Sequence, residues 1–429
     1  VSILLRRGKL MNKEMLARYK ALTPSQKRGF ECFDAWFTNK GFKKPGKQIL
    51  RIGGPAGTGK SFFIKFLIDY YHLTPDNCIV SAYTGRAVNV LQLNGIFSKT
   101  IHASFMHTIS EQMRDANGEL MFRGDIPIMT QRYVPMKTLR PGIKLIIIDE
   151  SSFLPENLQK MIQKFGLPIL ETGDPIQLPP VAGRQCFHMN NLDCYFTDPM
   201  RQTRDSEILD LATRIREECK VDIHAYGNQV EMLKQKPTVE DSFMTFLPHI
   251  WHSDCVITAT NKQRQVVVDM YRRRLLHTDS PYPVRGDRLI CRRNNWNLVL
   301  GDFPLTTGTL GTARSIVGRS DIFRNKKQYE IDFAPDFTSN DYYDGLVCDS
   351  DFLLQPFGNK QVDPFNNGNK LEYAQAITVH LAQGSQFPYV LYFDGYMDRG
   401  EYTMRLRYTA VTRAQQFLTY LMSPYGKPF

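Results

Sequence analysis

No run of about 18 apolar residues occurs in the 429-residue chain, which argues against a transmembrane helix. No C-x-x-C pair occurs either. The eight cysteines stand singly, so neither a disulfide framework nor a zinc site is suggested, and a reducing cytoplasm is the expected compartment. The stretch from Val1 to Leu10 has basic residues but lacks an apolar h-region and a small-residue cleavage site, so it does not read as a secretory signal. The chain opens on Val1, and Met11 is an alternative start. Acidic residues are the minority: 54 Lys and Arg against 43 Asp and Glu leave a net charge of +11. A basic globular protein often meets nucleic acid, although the same excess also describes a solvated surface. Nothing in the composition calls for a membrane partner.

What is present is a globular composition, 42% hydrophobic and 23% charged, in a chain long enough for about two to four domains. Its strongest stretch is Gly54-Pro55-Ala56-Gly57-Thr58-Gly59-Lys60-Ser61, which fits the phosphate-cradling pattern G-x-x-x-x-G-K-[ST]. Gln48 to Ile52 ahead of it suits a buried strand, and Ser61 to Ile68 behind it is apolar at helical spacing. Strand, glycine loop and helix start are the context the pattern needs. Converging backbone N–H groups and the helix N-terminus favour an anion there. Lys60 is placed to reach the β- and γ-phosphates of a nucleotide, and the Ser61 hydroxyl to hold Mg²⁺.

The second strong signal is Lys144-Leu145-Ile146-Ile147-Ile148-Asp149-Glu150. A continuous aliphatic run is what a parallel strand covered on both faces looks like. It delivers two carboxylates at the carboxyl end, where α/β sheets bind ligands. Asp149 is expected to share Mg²⁺ with Ser61, and Glu150 to orient or deprotonate the attacking water. An acidic helix cap is the plainer alternative for the same pair.

The remaining signals are weaker singly. Thr23 or Ser25 is a candidate cap for a helix running through Phe30, Phe33 and Trp36, with Pro24 in its first turn. Gln26 there carries an amide able to pair with adenine, or is an ordinary first-turn glutamine. Cys78 to Ala82 reads as a strand leading into Thr84 and a helix, and Thr100 and His102 follow. Residues 103–140 break the strand–helix rhythm and read as an insertion, a β-hairpin by its glycine turns. Leu167 to Thr172 is another strand, ending in Gly173-Asp174-Pro175-Ile176-Gln177, where Gln177 is a candidate γ-phosphate sensor. Cys255 to Asn261 repeats strand then polar turn. Dense turn signals over 284–372, with alternating runs such as Tyr329 to Phe333, give an all-β reading. Arg201 and Arg413 are candidate arginine fingers, each alone equally a surface arginine.

In order, SQKRGF, GPAGTGKS, YTGRA, TIH, IIIDES, GDPIQLPP, MRQ, TVHLAQGSQF and YTAVTRA resemble the superfamily 1 helicases, most closely the RecD-type and phage Dda-type branch. The resemblance runs from about Leu22 to Leu421. It implies an α/β protein of two tandem RecA-like parallel-sheet domains with ATP between them: a lead-in over 1–20, a first domain over 21–200 with its small insertion at 103–140, and a second over 201–429 carrying an SH3-like β-barrel at about 300–372. The insertion at 103–140 would carry a strand-separating element, with Phe105 and Phe122 as guesses for its residue. Gln26 would then read adenine. Gly54 to Ser61, Asp149, Glu150, Gln177, Arg201 and Arg413 would form the ATPase site. Thr84, Thr100, His102, Asn261, Thr378 and His380 would lie near DNA, with Gln383 and Gly384 coupling the two sites. The implied cofactors are ATP and Mg²⁺. The implied partners are single-stranded DNA and its junctions with duplex, along with replication or recombination proteins. Movement 5′ to 3′ is a property of that branch. Leu381 stands where the pattern usually has Lys, and Gln386 where it has Glu. An RNA helicase of the same superfamily, or a binding factor using ATP only as a switch, are the alternatives.

Overall fold

The computed structural model describes residues 13–423 apart from 113–118, 121, 124–125, 128, 181–182, 201–205, 219–220, 222–226, 302, 319–327, 339, 363–367 and 396–399. The chain divides into two compact units. One holds residues 13–83, 87–107 and 135–209; the other holds 84–86, 108–134 and the rest from 210 onward.

The first unit is built on a six-stranded parallel sheet in the order Cys194–Tyr195, Ile49–Gly53, Ile169–Gly173, Leu145–Asp149, Cys78–Ala82 and Lys99–Thr100. Leu145–Asp149 is buried at every position, as its aliphatic run requires of a strand sandwiched between helical layers. Strand order and sequence order differ, so the helices cross over both faces. The register puts the carboxyl ends level: Ala82 lies opposite both Asp149 and Thr100, and Gly53 opposite Gly173. The glycine loop, the Asp149-Glu150 pair and the loop from Gly173 to Gln177 all leave the sheet from this one edge.

Helix Pro24–Thr38 packs on the sheet through Phe30, Phe33 and Trp36, in an aromatic cluster with Phe63, Phe66 and Tyr70 of the helix after the glycine loop. Thr23 is the cap. Its hydroxyl accepts the Gln26 N–H at 3.3 Å, and the Gln26 side-chain oxygen accepts the Thr23 N–H at 3.0 Å, a reciprocal capping box. Within 103–140, Met106–Gln112 pairs with Met129–Pro135, and Phe122–Arg123 with Ile126–Pro127. The hairpin reading therefore describes these segments. Phe105 is fully buried, packed near Phe165, which does not suit a strand-separating tip.

The second unit repeats the plan with a five-stranded parallel sheet: Val230–Lys234, Ala414–Met422, Phe387–Phe393, Cys255–Thr258 and Ala376–Thr378. Between Cys255–Thr258 and Ala376–Thr378 the chain makes an antiparallel sheet in the order Tyr343–Asp349, Gln328–Pro335, Leu310–Gly318, Arg288–Cys291 and Leu371–Tyr373. The all-β reading of 284–372 is thus met by this sheet and a separate hairpin, except that Ser350–Leu354 is a short helix capped by Asp349. The sheet's two edges meet through Asn369, just ahead of Leu371–Tyr373: Cys348 bridges Asn369, the Asp349 N–H donates to the Asn369 carbonyl at 2.9 Å, and the Asn369 N–H donates to the Val347 carbonyl at 2.9 Å. Arg264 joins the layers: fully buried on helix Asn261–Arg274, it donates to the Ala376 carbonyl at 3.0 Å and pairs with Glu372 at 3.2 Å. Burial pulls its pKa down to about 10, still far above neutrality, so the guanidinium stays charged and fixes the helix that begins at Asn261.

Candidate nucleotide site and strand-facing edges

The loop after Ile49–Gly53 starts with the Gly54 N–H donating to the Gly173 carbonyl at 3.1 Å, which ties it to the neighbouring strand. It ends at Gly59, which caps helix Lys60–Tyr70 in the left-handed region, φ 74° and ψ 37°. A side chain there would be strained by φ and would also meet the Gln26 amide nitrogen and the Met200 sulfur, each 2.7 Å from a Cβ. Glycine is required twice over. No side chain caps this helix, so its first N–H groups remain directed at the loop. Thr58 is buried and donates its hydroxyl to the Pro55 carbonyl at 2.8 Å. The Lys60 ammonium reaches back across the loop, donating to the carbonyls of Gly54 at 2.8 Å and Pro55 at 3.1 Å.

Ser61 and Asp149 meet at this point. The Ser61 hydroxyl lies 3.5 Å from Asp149 Oδ2. Asp149 Oδ1 accepts from the Thr172 hydroxyl at 2.6 Å and from the Glu150 N–H at 2.9 Å. One carboxylate oxygen is therefore fixed by protein donors while the other faces Ser61. A hydroxyl and a carboxylate oxygen are hard donors of the kind Mg²⁺ takes, alongside water and phosphate oxygens. Thr172 was not singled out in the sequence. The signal was available: it sits at the end of the strand beside Asp149, where a hydroxyl can orient a carboxylate.

Glu150 adopts φ 54° and ψ 41° and makes no capping bond to the short turn Ser151–Phe153 that follows. The plain helix-cap reading loses its support. A non-glycine residue held in the left-handed region costs about 1–3 kcal/mol and is characteristic of functional positions. Ser152 holds the next loop by donating to the Asp174 carbonyl at 2.5 Å, and Gln177, almost fully buried, donates its N–H to the same carbonyl at 3.2 Å.

Gln26 is placed differently from what its assignment to adenine suggests. It is fully buried, its oxygen is used in the capping box, and its amide N–H groups donate to the carbonyls of Thr58 at 2.9 Å and Gly59 at 3.3 Å. It braces the loop. Arg201 lies outside the described residues. Pro55, Ala56 and Gly57 complete the loop, Gly57 at φ 79° with its carbonyl accepting the Met200 N–H at 3.0 Å.

At the same edge, Thr100 caps helix Ile101–Phe105 by accepting the Ala103 N–H at 3.2 Å. His102 is half-buried beside Tyr83, and burial lowers its pKa, which keeps the ring neutral at pH 7. Thr84 is half-buried just before helix Gly85–Leu93. In the second unit Thr258, Thr378 and Phe393 share a register level, so Asn261 and His380 leave from one carboxyl edge. Asn261 is exposed at the start of its helix. Thr378 holds its own turn by accepting the Leu381 N–H at 3.4 Å. Gly384 takes φ 71°. Arg413 is buried: it donates to the carbonyls of Thr409 at 2.9 Å and Ser385 at 3.1 Å and to the Thr412 hydroxyl at 3.1 Å.

The AAA domain family matches residues 40–237, and the UvrD-like helicase C-terminal domain family matches residues 373–419. One chain therefore carries a match to an AAA domain and a match to a UvrD-like helicase C-terminal domain. The two matches cover the glycine loop in the first unit and the His380 and Arg413 segments in the second. Among curated proteins, the ATP-dependent DNA helicase Pif1 of Campylobacter jejuni is 31% identical over 136 residues, 30% of this chain and 28% of that relative's length. The Bacteroides Pif1 structure bound to single-stranded DNA is similar over 93% of this chain and 92% of that one, at 15% identity and a TM-score of 0.49. Pif1 helicase from Candida albicans is similar over 93% and 94%, at 16% identity and a TM-score of 0.45. Among the described residues no helix is long and apolar enough to cross a membrane.

Proposed function

We propose that the chain is an ATP-dependent DNA helicase that translocates 5′ to 3′ on single-stranded DNA and unwinds duplex ahead of it. The observation that carries this is the meeting of Ser61 and Asp149, 3.5 Å apart at the mouth of a glycine loop whose lysine already spans it. Lys60 and the loop N–H groups hold the β- and γ-phosphates. Ser61 and Asp149 would hold Mg²⁺, whose charge would offset the negative charge on the phosphates. Glu150 orients the attacking water, Gln177 senses the γ-phosphate, and Arg413 and Arg201 stabilise its transition-state charge. Gln26 meets adenine only if its bonds to Thr58 and Gly59 give way; while they hold, it shapes the loop instead. Thr84, Thr100, His102, Asn261, Thr378 and His380 contact the strand, mainly its backbone, which predicts weak sequence preference and strong salt dependence.

Two experiments test this. Lys60→Ala is expected to remove DNA-stimulated phosphate release by about 10²–10³-fold or more, the scale of losing one charge-stabilising donor. Persistent hydrolysis would refute the glycine-loop assignment. Stimulation by single-stranded RNA in the same assay, equal to that by DNA, would move the substrate to RNA. The second experiment offers 5′-tailed, 3′-tailed and blunt duplexes. Unwinding is expected only with the 5′ tail, and unwinding only from 3′ tails would overturn the polarity.

A further inference from the structure

His380 is held by a residue that no motif contains. Its Nε2 lies 3.2 Å from the Tyr402 hydroxyl, and the two rings stack with centroids 6.3 Å apart and 29° between their planes. Tyr402 stands in the first turn of helix Glu401–Val411. The middle of that helix is pinned to the sheet by Arg407, whose guanidinium donates to the two carboxylate oxygens of buried Asp394 at 2.9 and 3.1 Å. The phenol is therefore carried by a packed helix and not by a loop. Its contact with the ring links a helix to the carboxyl edge of the sheet.

The His380 pKa is lowered by burial, so the ring is neutral at physiological pH. A neutral imidazole has one donor nitrogen and one acceptor nitrogen, and the partner of one fixes the state of the other. A phenol hydroxyl is a good donor and a poor acceptor, because its lone pair is drawn into the ring. A bare imidazole nitrogen is a strong acceptor. The favourable pairing is Tyr402 O–H donating to Nε2, which leaves the proton on Nδ1.

We propose that Tyr402 is a positioning residue that holds His380 in the Nδ1–H tautomer, so that the ring offers a donor to an anionic phosphodiester oxygen of the bound strand. The proposal rests on the reading of His380 as a strand contact. With the other tautomer, Nδ1 would present a lone pair to the anion, and the contact would be repulsive. Strand affinity then depends on a tyrosine that need not touch the strand.

The test uses the full chain with ¹⁵N-labelled histidine, the His380 signals being assigned by their loss in His380→Gln. Two-bond proton–nitrogen correlation without DNA is expected to show Nδ1 protonated and Nε2 bare in the wild type, and a loss of that preference in Tyr402→Phe. The dissociation constant for an oligothymidylate is expected to rise about 3- to 10-fold in Tyr402→Phe, as for one lost hydrogen bond. A wild-type ring protonated at Nε2, or a tautomer unchanged in Tyr402→Phe, would overturn the proposal. A tautomer that shifts while oligothymidylate affinity stays constant would leave tautomer control standing and remove His380 from the strand contacts.

Discussion

Arg413→Ala is expected to lower DNA-stimulated kcat by about 10³–10⁵-fold, the range for an arginine that stabilises charge on a transferring γ-phosphoryl group. The competing role is visible in the fold. Arg413 is buried and spends its guanidinium on the Thr409 and Ser385 carbonyls and the Thr412 hydroxyl, so it also works as a strut between the end of helix Glu401–Val411 and the turn carrying Gly384. The two roles separate by measurement. Each strut bond is worth about 0.5–1.5 kcal/mol net, so a strut alone predicts a lower melting temperature and a kcat that follows the folded fraction. A finger predicts a collapse of kcat in protein that is still folded, with ATP affinity little changed. Arg413→Lys sharpens the contrast. It keeps the charge and loses the planar fork, so it retains part of the electrostatic effect but cannot rebuild the three-way strut. Single-turnover hydrolysis beside thermal melts decides: a rate loss of tenfold or less in folded Arg413→Ala would assign the residue to the fold.

The parts of the fold legible in the sequence are those where one local pattern had one physical solution. Leu145–Asp149 and Cys78–Ala82 are apolar without alternation, and only a strand covered on both faces uses such a run. The glycine loop was legible because Gly59 and Lys60 sit where φ and charge admit few other residues. The less legible features depend on pairings between distant segments. Gln26 shows as an adenine reader in a linear pattern, but its amide is engaged by Thr58 and Gly59, 32 and 33 residues away. Thr172 reaches Asp149 across a sheet neighbour 23 residues distant, and Tyr402 reaches His380 from a helix 22 residues on. Turn density over 284–372 announced β structure but carried no information on closure, which depends on whether the two edge strands meet. Arg413 announced its charge and not the direction in which that charge points.

Glu150 is the place where backbone and chemistry can be set against each other. Glu150→Gln keeps the shape and the left-handed backbone while removing the carboxylate. Its kcat is expected to fall by about 10²–10⁴-fold, the usual contribution of a positioned general base, with nucleotide affinity retained. Glu150→Gly removes the same carboxylate and also relieves the backbone at φ 54°. The strain of about 1–3 kcal/mol is released, and the greater chain entropy of an unfolded glycine takes back about 0.5–1 kcal/mol. The glycine variant is therefore expected to be as dead as the glutamine variant yet to melt at an equal or higher temperature than the wild type. Melting curves of the three proteins side by side check this. A glycine variant that melts well below the wild type would mean that the Glu150 side chain supports the fold by more than its backbone costs. Its left-handed conformation would then be a by-product of packing, with no bearing on catalysis.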